Sequence, residues 1–292
     1  MGRALADAHP AARRVFEQAD EVLGLPFARL MWEGPEEELT LTRNAQPALL
    51  VHSYAALTVL RERLGDAAFA AGHSLGEFSA HVAAGTLAFG DALRAVRLRG
   101  ELMFEAGVTR PGTMAAVLGL GDDAVRAACA AVAAGVCVPA NYNSEGQVVI
   151  SGDEAGVVEG MARAREAGAK RAVQLNVSGA FHSPLMEPAQ EGLRAHLEGI
   201  TFSDPSFPVV SNVTAEPVRT GRAARELLVR QLTSPVLWSS SVAAMVRGGA
   251  DRFLELGPGS VLCGLNKRNA RGAPCASVGS PADADAWVGG AP

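Results

Sequence analysis

Short runs of small apolar residues alternate along the chain with segments whose apolar positions recur at helical spacing. That alternation predicts an α/β protein with a mainly parallel sheet and helices on both faces. "HPAARRVFEQADEVLG" reads as an amphipathic helix closed by Gly24, and "QPALLVHSYAALTVLRERLG" as a longer one with its stop at Gly65. "AAFAAGHS" follows as a buried parallel strand, "GEFSAHVAAGTL" restarts the helical period, and "FGDALRAVRLRGELMFEAG" is a further helix. Late in the chain, "PVVSNVTAEPV" and "RFLELGPGS" read as short strands. "GRAARELLVRQLTSPV" and "SSSVAAMVRGG" read as helices between them.

Between about 113 and 177 the order of elements changes. "TMAAVLGL" reads as a strand, "DDAVRAACAAVAAG" as a helix, and "VCVPANYN" and "GQVVISG" as two strands around an Asn-Ser-Glu-Gly turn. "DEAGVVEGMARAREAG" and "AKRAVQLNV" add a helix and a strand. The β-α-β-β-α-β order is the ferredoxin-like arrangement, which closes on itself and suits an insertion. The expected organisation is a large α/β domain over 1–110 and 178–270, a ferredoxin-like subdomain over 111–177, and a C-terminal tail over 271–292. The tail, rich in Gly, Ala, Pro and Asp, is expected to be loosely ordered.

Composition narrows the function classes. A net charge of -5 disfavours a nucleic-acid surface, which needs a basic patch. No apolar run reaches the roughly 18 residues of a membrane span, and the first residues lack an apolar signal core. The four cysteines, Cys129, Cys137, Cys263 and Cys275, show no CxxC and no paired histidine spacing. They are expected to be reduced, in a cytoplasmic protein.

The candidate chemistry starts at Gly72-His73-Ser74-Leu75-Gly76, a G-x-S-x-G between a predicted strand and a predicted helix. In that context the turn is so tight that only small residues fit around the serine, and the hydroxyl projects from the carboxyl end of the sheet. The Leu75 amide is placed to donate to an oxyanion, helped by the helix dipole. The serine needs a base. Of six histidines, His9 and His196 lie in polar helical surroundings and are expected to be exposed. His52 and His81 fall inside helical patterns and read as core histidines. Strand alternation turns His73 away from Ser74. His182 lies in the Gly-containing loop "NVSGAFHSPLM" after a strand, where a base can approach a nucleophile. No Asp or Glu stands out as a third member, so a carbonyl or amide is the expected orienting group, with Gln231 a candidate. Arg99 flanks the apolar stripe Ala92, Leu93, Val96, Gly100 and Met103. Two roles stay open for it: a snorkelling surface arginine, or a bidentate partner for a substrate carboxylate.

Six segments taken together carry a family resemblance. "GHSLGE" at 72–77, "RLRGELM" at 97–103, "GQVVISG" at 146–152, "GAFHSPLM" at 179–186, "VRQLTSPVLW" at 229–238 and "ELGPGSVLCGL" at 255–265 are similar, in order and spacing, to malonyl-CoA:acyl carrier protein transacylases. The acyltransferases of polyketide synthases share the pattern. The resemblance implies acyl transfer through an acylated Ser74, with His182 as base and Leu75 as backbone oxyanion donor. It implies that Gln231 orients His182 through its backbone carbonyl, that Arg99 pairs with the malonyl carboxylate, and that Phe181 belongs to the malonyl-selective form of its loop. Malonyl-CoA and acyl carrier protein are the implied partners, without nucleic acid or membrane. CoA thioester and phosphopantetheine enter as substrates, with no bound cofactor and no metal.

One departure accompanies it. The family opens with a strand and a Gly-Gln-Gly-Ser-Gln loop that supplies a second oxyanion amide. The sequence "MGRALADAHP" resembles the segment directly after that loop. A misassigned start, a fragment and a variant with weakened activity are the readings it leaves open. Two other functions compete with malonyl transfer: a serine hydrolase, and a non-catalytic homologue that binds a carrier protein.

Overall fold

The computed structural model describes residues 1–177 and 179–287. The chain opens with five helices: α1 (Arg3–Ala8), α2 (Pro10–Leu23), α3 (Phe27–Glu33), α4 (Glu36–Thr40) and α5 (Thr42–Leu60). Gly24 stops α2 as its pattern predicts, in the left-handed conformation at φ 65°. Next come α6 (Gly76–Ala83) and α7 (Phe89–Thr109). Leu5, Phe16, Phe27, Leu50, Phe78 and Leu93 meet between these helices in the largest apolar core, and each is fully buried.

The next stretch forms β1 (Thr113–Leu118), α8 (Asp122–Ala130), β2 (Cys137–Ser144), β3 (Gln147–Gly152), α9 (Glu154–Glu166) and β4 (Arg171–Gln174). The sheet runs β2-β3-β1-β4 with every pairing antiparallel, which is the ferredoxin-like order expected from the sequence. Val117, Val125, Val148 and Val157 fill a separate core between sheet and helices. Asp153 caps α9 by accepting from Gly156 N, and its other oxygen accepts from Val136 N. The strand and the helix are thereby fixed together. A Cβ on Gly152 would lie 1.7 Å from the Val136 carbonyl oxygen, so the adjacent strands approach closely only because this residue is glycine.

The remainder comprises α10 (Glu187–Glu198), β5 (Val209–Val210), β6 (Pro217–Val218), α11 (Gly221–Arg230), α12 (Trp238–Arg247), β7 (Phe253–Leu256), α13 (Val261–Asn269), β8 (Cys275–Val278) and α14 (Pro281–Ala286). β5 and β6 form an antiparallel hairpin, and β7 and β8 pair in parallel. No helix among the described residues is long and apolar enough to cross a membrane.

Several expectations are corrected. The strand at "AAFAAGHS" reduces to a parallel bridge between Ala70 and Val209. Its ladder cannot extend toward the chain start, because Pro208 has no N–H to donate. Helix α5 ends at Leu60 rather than Gly65, since Arg61, Glu62 and Arg63 are exposed and offer no apolar face. Of the expected loose tail, the described residues up to Trp287 are structured: β8 adds to β7, and buried Val278 and Ala284 pack with Leu60, while residues 288–292 lie outside the described residues. Cys263 and Cys275 are joined in a disulfide, because α13 folds over β8 and brings their Cα atoms within 5.4 Å. Cys129 and Cys137 are free thiols. His9 and His196 are half-buried rather than exposed. His52 and His81 are buried, as their helical spacing implies.

Candidate active site

The elbow is built from Ala70 to Phe78. Ala70 is anchored on the β5 segment by a bond to the Pro208 carbonyl (2.9 Å) and one from Val210 N (2.8 Å). The chain then reverses through Ser74, at φ 51°, and enters α6 at Gly76. Bonds from Gly76 N to His73 O, Glu77 N to Ser74 O and Phe78 N to Leu75 O close the turn. The Leu75 amide takes no part in these bonds. Gly72 is obligatory: a Cβ there would meet the Gly76 carbonyl at 2.0 Å. Asn212, just after β5, clasps both sides, accepting from Ser74 N (2.7 Å) and donating to Gly72 O (2.8 Å).

His182 approaches from the far side. Its loop is pinned by the Ser183 hydroxyl, which donates to Ala180 O (2.6 Å), and by a 3-10 turn over Pro184–Met186. His182 Nε2 lies 2.8 Å from Ser74 Oγ, and Nδ1 lies 2.9 Å from the Gln231 carbonyl. A carbonyl only accepts, so Nδ1 carries the proton and Nε2 is free to take the serine proton. Burial, reinforced by the Arg99 charge, pushes the His182 pKa down to about 3. The imidazole is therefore neutral, as a base must be. A backbone carbonyl in place of an acidic third member matches the absence of such an acid from the sequence.

Arg99 is 1% exposed, which rules out the snorkelling role. Gly100 explains its depth: a Cβ there would press on the Arg43 and Thr42 backbone at 2.8 Å, so α7 can pack directly on the start of α5. That contact brings Gln46 to the guanidinium. Nη1 donates to Gln46 Oε1, and Nη2 donates to Gln231 Oε1 (2.9 Å) and Ser74 Oγ (3.1 Å). Burial lowers the Arg99 pKa to about 10, opposed by Glu77, so it stays charged at neutral pH. All its direct partners are neutral. A buried cation without a touching carboxylate, beside a nucleophile, has the charge and the donor geometry to bind an anionic group.

The structure thus gathers Ser74, His182, Arg99, Gln231 and the Leu75 amide into one place. Phe181 adjoins them, packed between the main core and the face of the ferredoxin-like sheet that carries Met114, Ala140 and Val149. His73 points away, bonded to Asn143 Oδ1 on β2 (2.8 Å). Sequence reasoning missed Gln46, Asn212 and Glu77. Glu77 is fully buried and bonded to Gln231 Nε2 (2.6 Å) and Asn212 N (3.1 Å). A charged residue one turn before buried Ala80 and His81, on the same helix face, was the available signal.

An α/β fold with a nucleophile elbow and a neutral imidazole on its serine defines the class of serine-nucleophile enzymes that handle acyl groups. The family model "Acyl transferase domain" matches residues 1–285, and the chain belongs to that family. It is 45% identical over 283 residues to the malonyl CoA-acyl carrier protein transacylase of Bacillus subtilis, covering 96% of this chain and 89% of that protein. Among solved structures, an acyl carrier protein S-malonyltransferase from Vibrio cholerae aligns with a TM-score of 0.94 at 41% identity, covering 98% of this chain and 94% of that one. A malonyl-transacylase in complex with its type II polyketide acyl carrier protein aligns with a TM-score of 0.93 at 43% identity, covering 98% of this chain and 93% of that one.

Proposed function

We propose that the chain transfers a malonyl group from malonyl-CoA to the phosphopantetheine thiol of an acyl carrier protein through malonyl-Ser74. The observation that carries this reading is Arg99, a buried cation with only neutral partners, 3.1 Å from Ser74 Oγ. It suits an acyl group that carries its own carboxylate. The names of the relatives, and the carrier-protein complex among them, support the same substrates.

In the first half-reaction His182 Nε2 takes the Ser74 proton as Oγ attacks the thioester carbonyl carbon. The Leu75 amide donates to the oxyanion. Collapse breaks the C–S bond, and His182 returns the proton to the departing CoA sulfur. In the second half-reaction the phosphopantetheine thiol gives its proton to His182 and its sulfur attacks the ester. The C–O bond breaks and Ser74 recovers its proton. The Gln231 carbonyl keeps His182 in the required tautomer throughout. Phe181 borders the acyl group and limits its bulk. CoA and phosphopantetheine enter as substrates, and the chemistry calls for no resident cofactor or metal. We place the reaction in the cytoplasm, on the likeness to bacterial malonyl CoA-acyl carrier protein transacylases.

The test is intact mass after mixing with malonyl-CoA, followed by addition of holo acyl carrier protein. A malonyl adduct that moves to the carrier supports the reading. An adduct that is lost to water at the same rate with and without carrier sinks it in favour of a hydrolase. No adduct on the folded chain sinks it in favour of a non-catalytic carrier-binding role.

A further inference from the structure

Arg99 is held between two side-chain amides, and each amide is itself set by the groups behind it. Gln46 Nε2 donates to Thr42 Oγ1 (2.8 Å) and to Met103 Sδ (3.4 Å), which leaves Oε1 facing the guanidinium. Gln231 Nε2 donates to Glu77 Oε2 (2.6 Å) and to Ser74 O (2.9 Å), which likewise leaves Oε1 facing Arg99. The two ends of a glutamine amide have nearly the same shape, and only the surrounding donors and acceptors decide which end points where. Were the Gln231 amide reversed, its NH2 would face the Arg99 N–H groups, donor against donor.

Glu77 is the strongest acceptor on the Gln231 NH2. An acid in the first turn of a surface helix needs no explanation beyond the helix dipole. Glu77 is different, because it is 0% exposed and its bonds cross to Gln231 and to Asn212 N rather than to the amides of its own helix. Both bonds end on Oε2, while Oε1 makes none. Burial raises its pKa to about 7, and the bonds from Gln231 and Asn212 pull the other way. The carboxylate neither touches Ser74 nor receives the His182 proton.

We propose that Glu77 is a positioning residue for acyl-group selection: its Oε2 holds the Gln231 amide in the orientation that fixes Arg99 as the receptor for the acyl carboxylate. The inference rests on the malonyl-transfer reading above. It separates two jobs within Gln231. The backbone carbonyl serves His182 and is held by the 3-10 turn over Gln231–Thr233, whereas the side chain serves Arg99 and is held by Glu77. Loss of the Glu77 acceptor therefore costs preference for a carboxylated acyl group and spares acyl transfer itself.

The experiment compares single-turnover loading of Ser74 by malonyl-CoA and acetyl-CoA, read by intact mass, in wild type, Glu77→Ala, Glu77→Asp, Glu77→Gln and Arg99→Ala. Aspartate keeps the charge but withdraws the oxygen by one methylene. Glutamine keeps an oxygen at the Oε2 position and removes the charge. Glu77→Ala and Glu77→Asp are expected to lower the malonyl-to-acetyl preference about tenfold, the scale of one hydrogen bond in a charged network. Acetyl loading should stay within about threefold of wild type, and Glu77→Gln should retain the wild-type preference. Thermal melts establish which variants are folded, and Glu77→Asp decides the matter where Glu77→Ala is not. An unchanged preference in both Glu77→Ala and Glu77→Asp, with Arg99→Ala losing it, overturns the proposal and leaves the reading of Arg99 standing. Equal losses of malonyl and acetyl loading also overturn it, since that is what a merely structural role produces. An unchanged preference in Arg99→Ala overturns both the proposal and the reading of the site.

Discussion

Ser74 and His182 both occupy the left-handed backbone region, at φ 51° and 57°, and their side chains meet at 2.8 Å across 108 residues of sequence. A non-glycine residue held there costs on the order of 1–3 kcal/mol and persists only where the surroundings over-determine it. At Ser74 those surroundings are the Asn212 clasp and the three bonds closing the elbow. At His182 they are the Ser183 bond and the Gln231 carbonyl. Two strained residues facing each other are a sign of geometry held for chemistry. Ser74→Ala should abolish the malonyl adduct. His182→Ala should slow its formation by at least about 100-fold, the ordinary contribution of a general base. A stopped-flow or quench series on the folded variants measures both.

The two glycines of the elbow are not equivalent. A Cβ at Gly72 would lie 2.0 Å from the Gly76 carbonyl, whereas a Cβ at Gly76 would meet nothing within 4 Å, and Gly76 is the first residue of α6. Gly72→Ala should therefore disrupt the elbow, lower the melting temperature and abolish acylation. Gly76→Ala should fold with a melting temperature at or above wild type, because alanine loses less entropy in a helix, about 0.5–1 kcal/mol. Acylation by Gly76→Ala should stay within about fivefold of wild type, well short of the loss of a catalytic donor. Equal damage from both substitutions would contradict this account of the turn.

Arg99 presents a planar fork, and lysine does not. In Arg99→Lys the ammonium would keep the buried charge but could not bond Gln46, Gln231 and a carboxylate together in one plane. Malonyl loading should fall about tenfold in Arg99→Lys and about 100-fold or more in Arg99→Ala, the range seen when one partner of a buried charged pair is removed. Acetyl loading should change much less in either. Saturation curves for the two acyl-CoA substrates give the comparison.

What the sequence disclosed, and what it hid, follows from the range of the interactions. The elbow is local: "GHSLGE" between a small apolar run and a helical period carries its own geometry. The ferredoxin-like sheet is nearly as local, because its turn residues and strand alternation lie within one continuous segment. His182 was accessible from the sequence alone as a candidate base for Ser74, a loop histidine at a strand end, and the family resemblance pointed to the same pairing. Glu77 was hidden although it sits inside the best motif. Its meaning depends on Asn212 and Gln231, which lie 135 and 154 residues away. The parallel pairing of β7 with β8, and the disulfide beside it, were hidden for a different reason. The surrounding tail is rich in Gly, Ala, Pro and Asp, so its composition suggested a loose end. Four residues, Cys275 to Val278, suffice to add a strand once β7 presents an edge.

Burial lowers the pKa of four histidines, His52, His73, His81 and His182, and makes stability depend on acid in a defined direction. His81 is 0% exposed, neither ring nitrogen has a hydrogen-bond partner, and burial alone lowers its pKa from 6.5 to about 4. His182 is lowered to about 3. Unfolding releases both to ordinary values, so at these two sites the unfolded chain binds more protons than the folded one between pH 6.5 and about 4, and their contribution to stability rises with pH. Their contribution is complete above pH 6.5 and is lost as the pH falls toward 4. Glu77 acts in the opposite sense, since its folded pKa of about 7 lies above the usual carboxylate value. It takes up protons in the folded state between about 4.5 and 7, and its part of the stability declines as the pH rises through that window. Replacing His81 alone leaves the Glu77 and His182 contributions unchanged. The melting temperature of His81→Leu should therefore fall less than that of wild type between pH 7.5 and 5.0. Because His182 remains neutral at pH 5, its protonation should add no acid limb to acyl loading above that pH. Equal thermal losses in wild type and His81→Leu would show that His81 is not the acid-sensitive group.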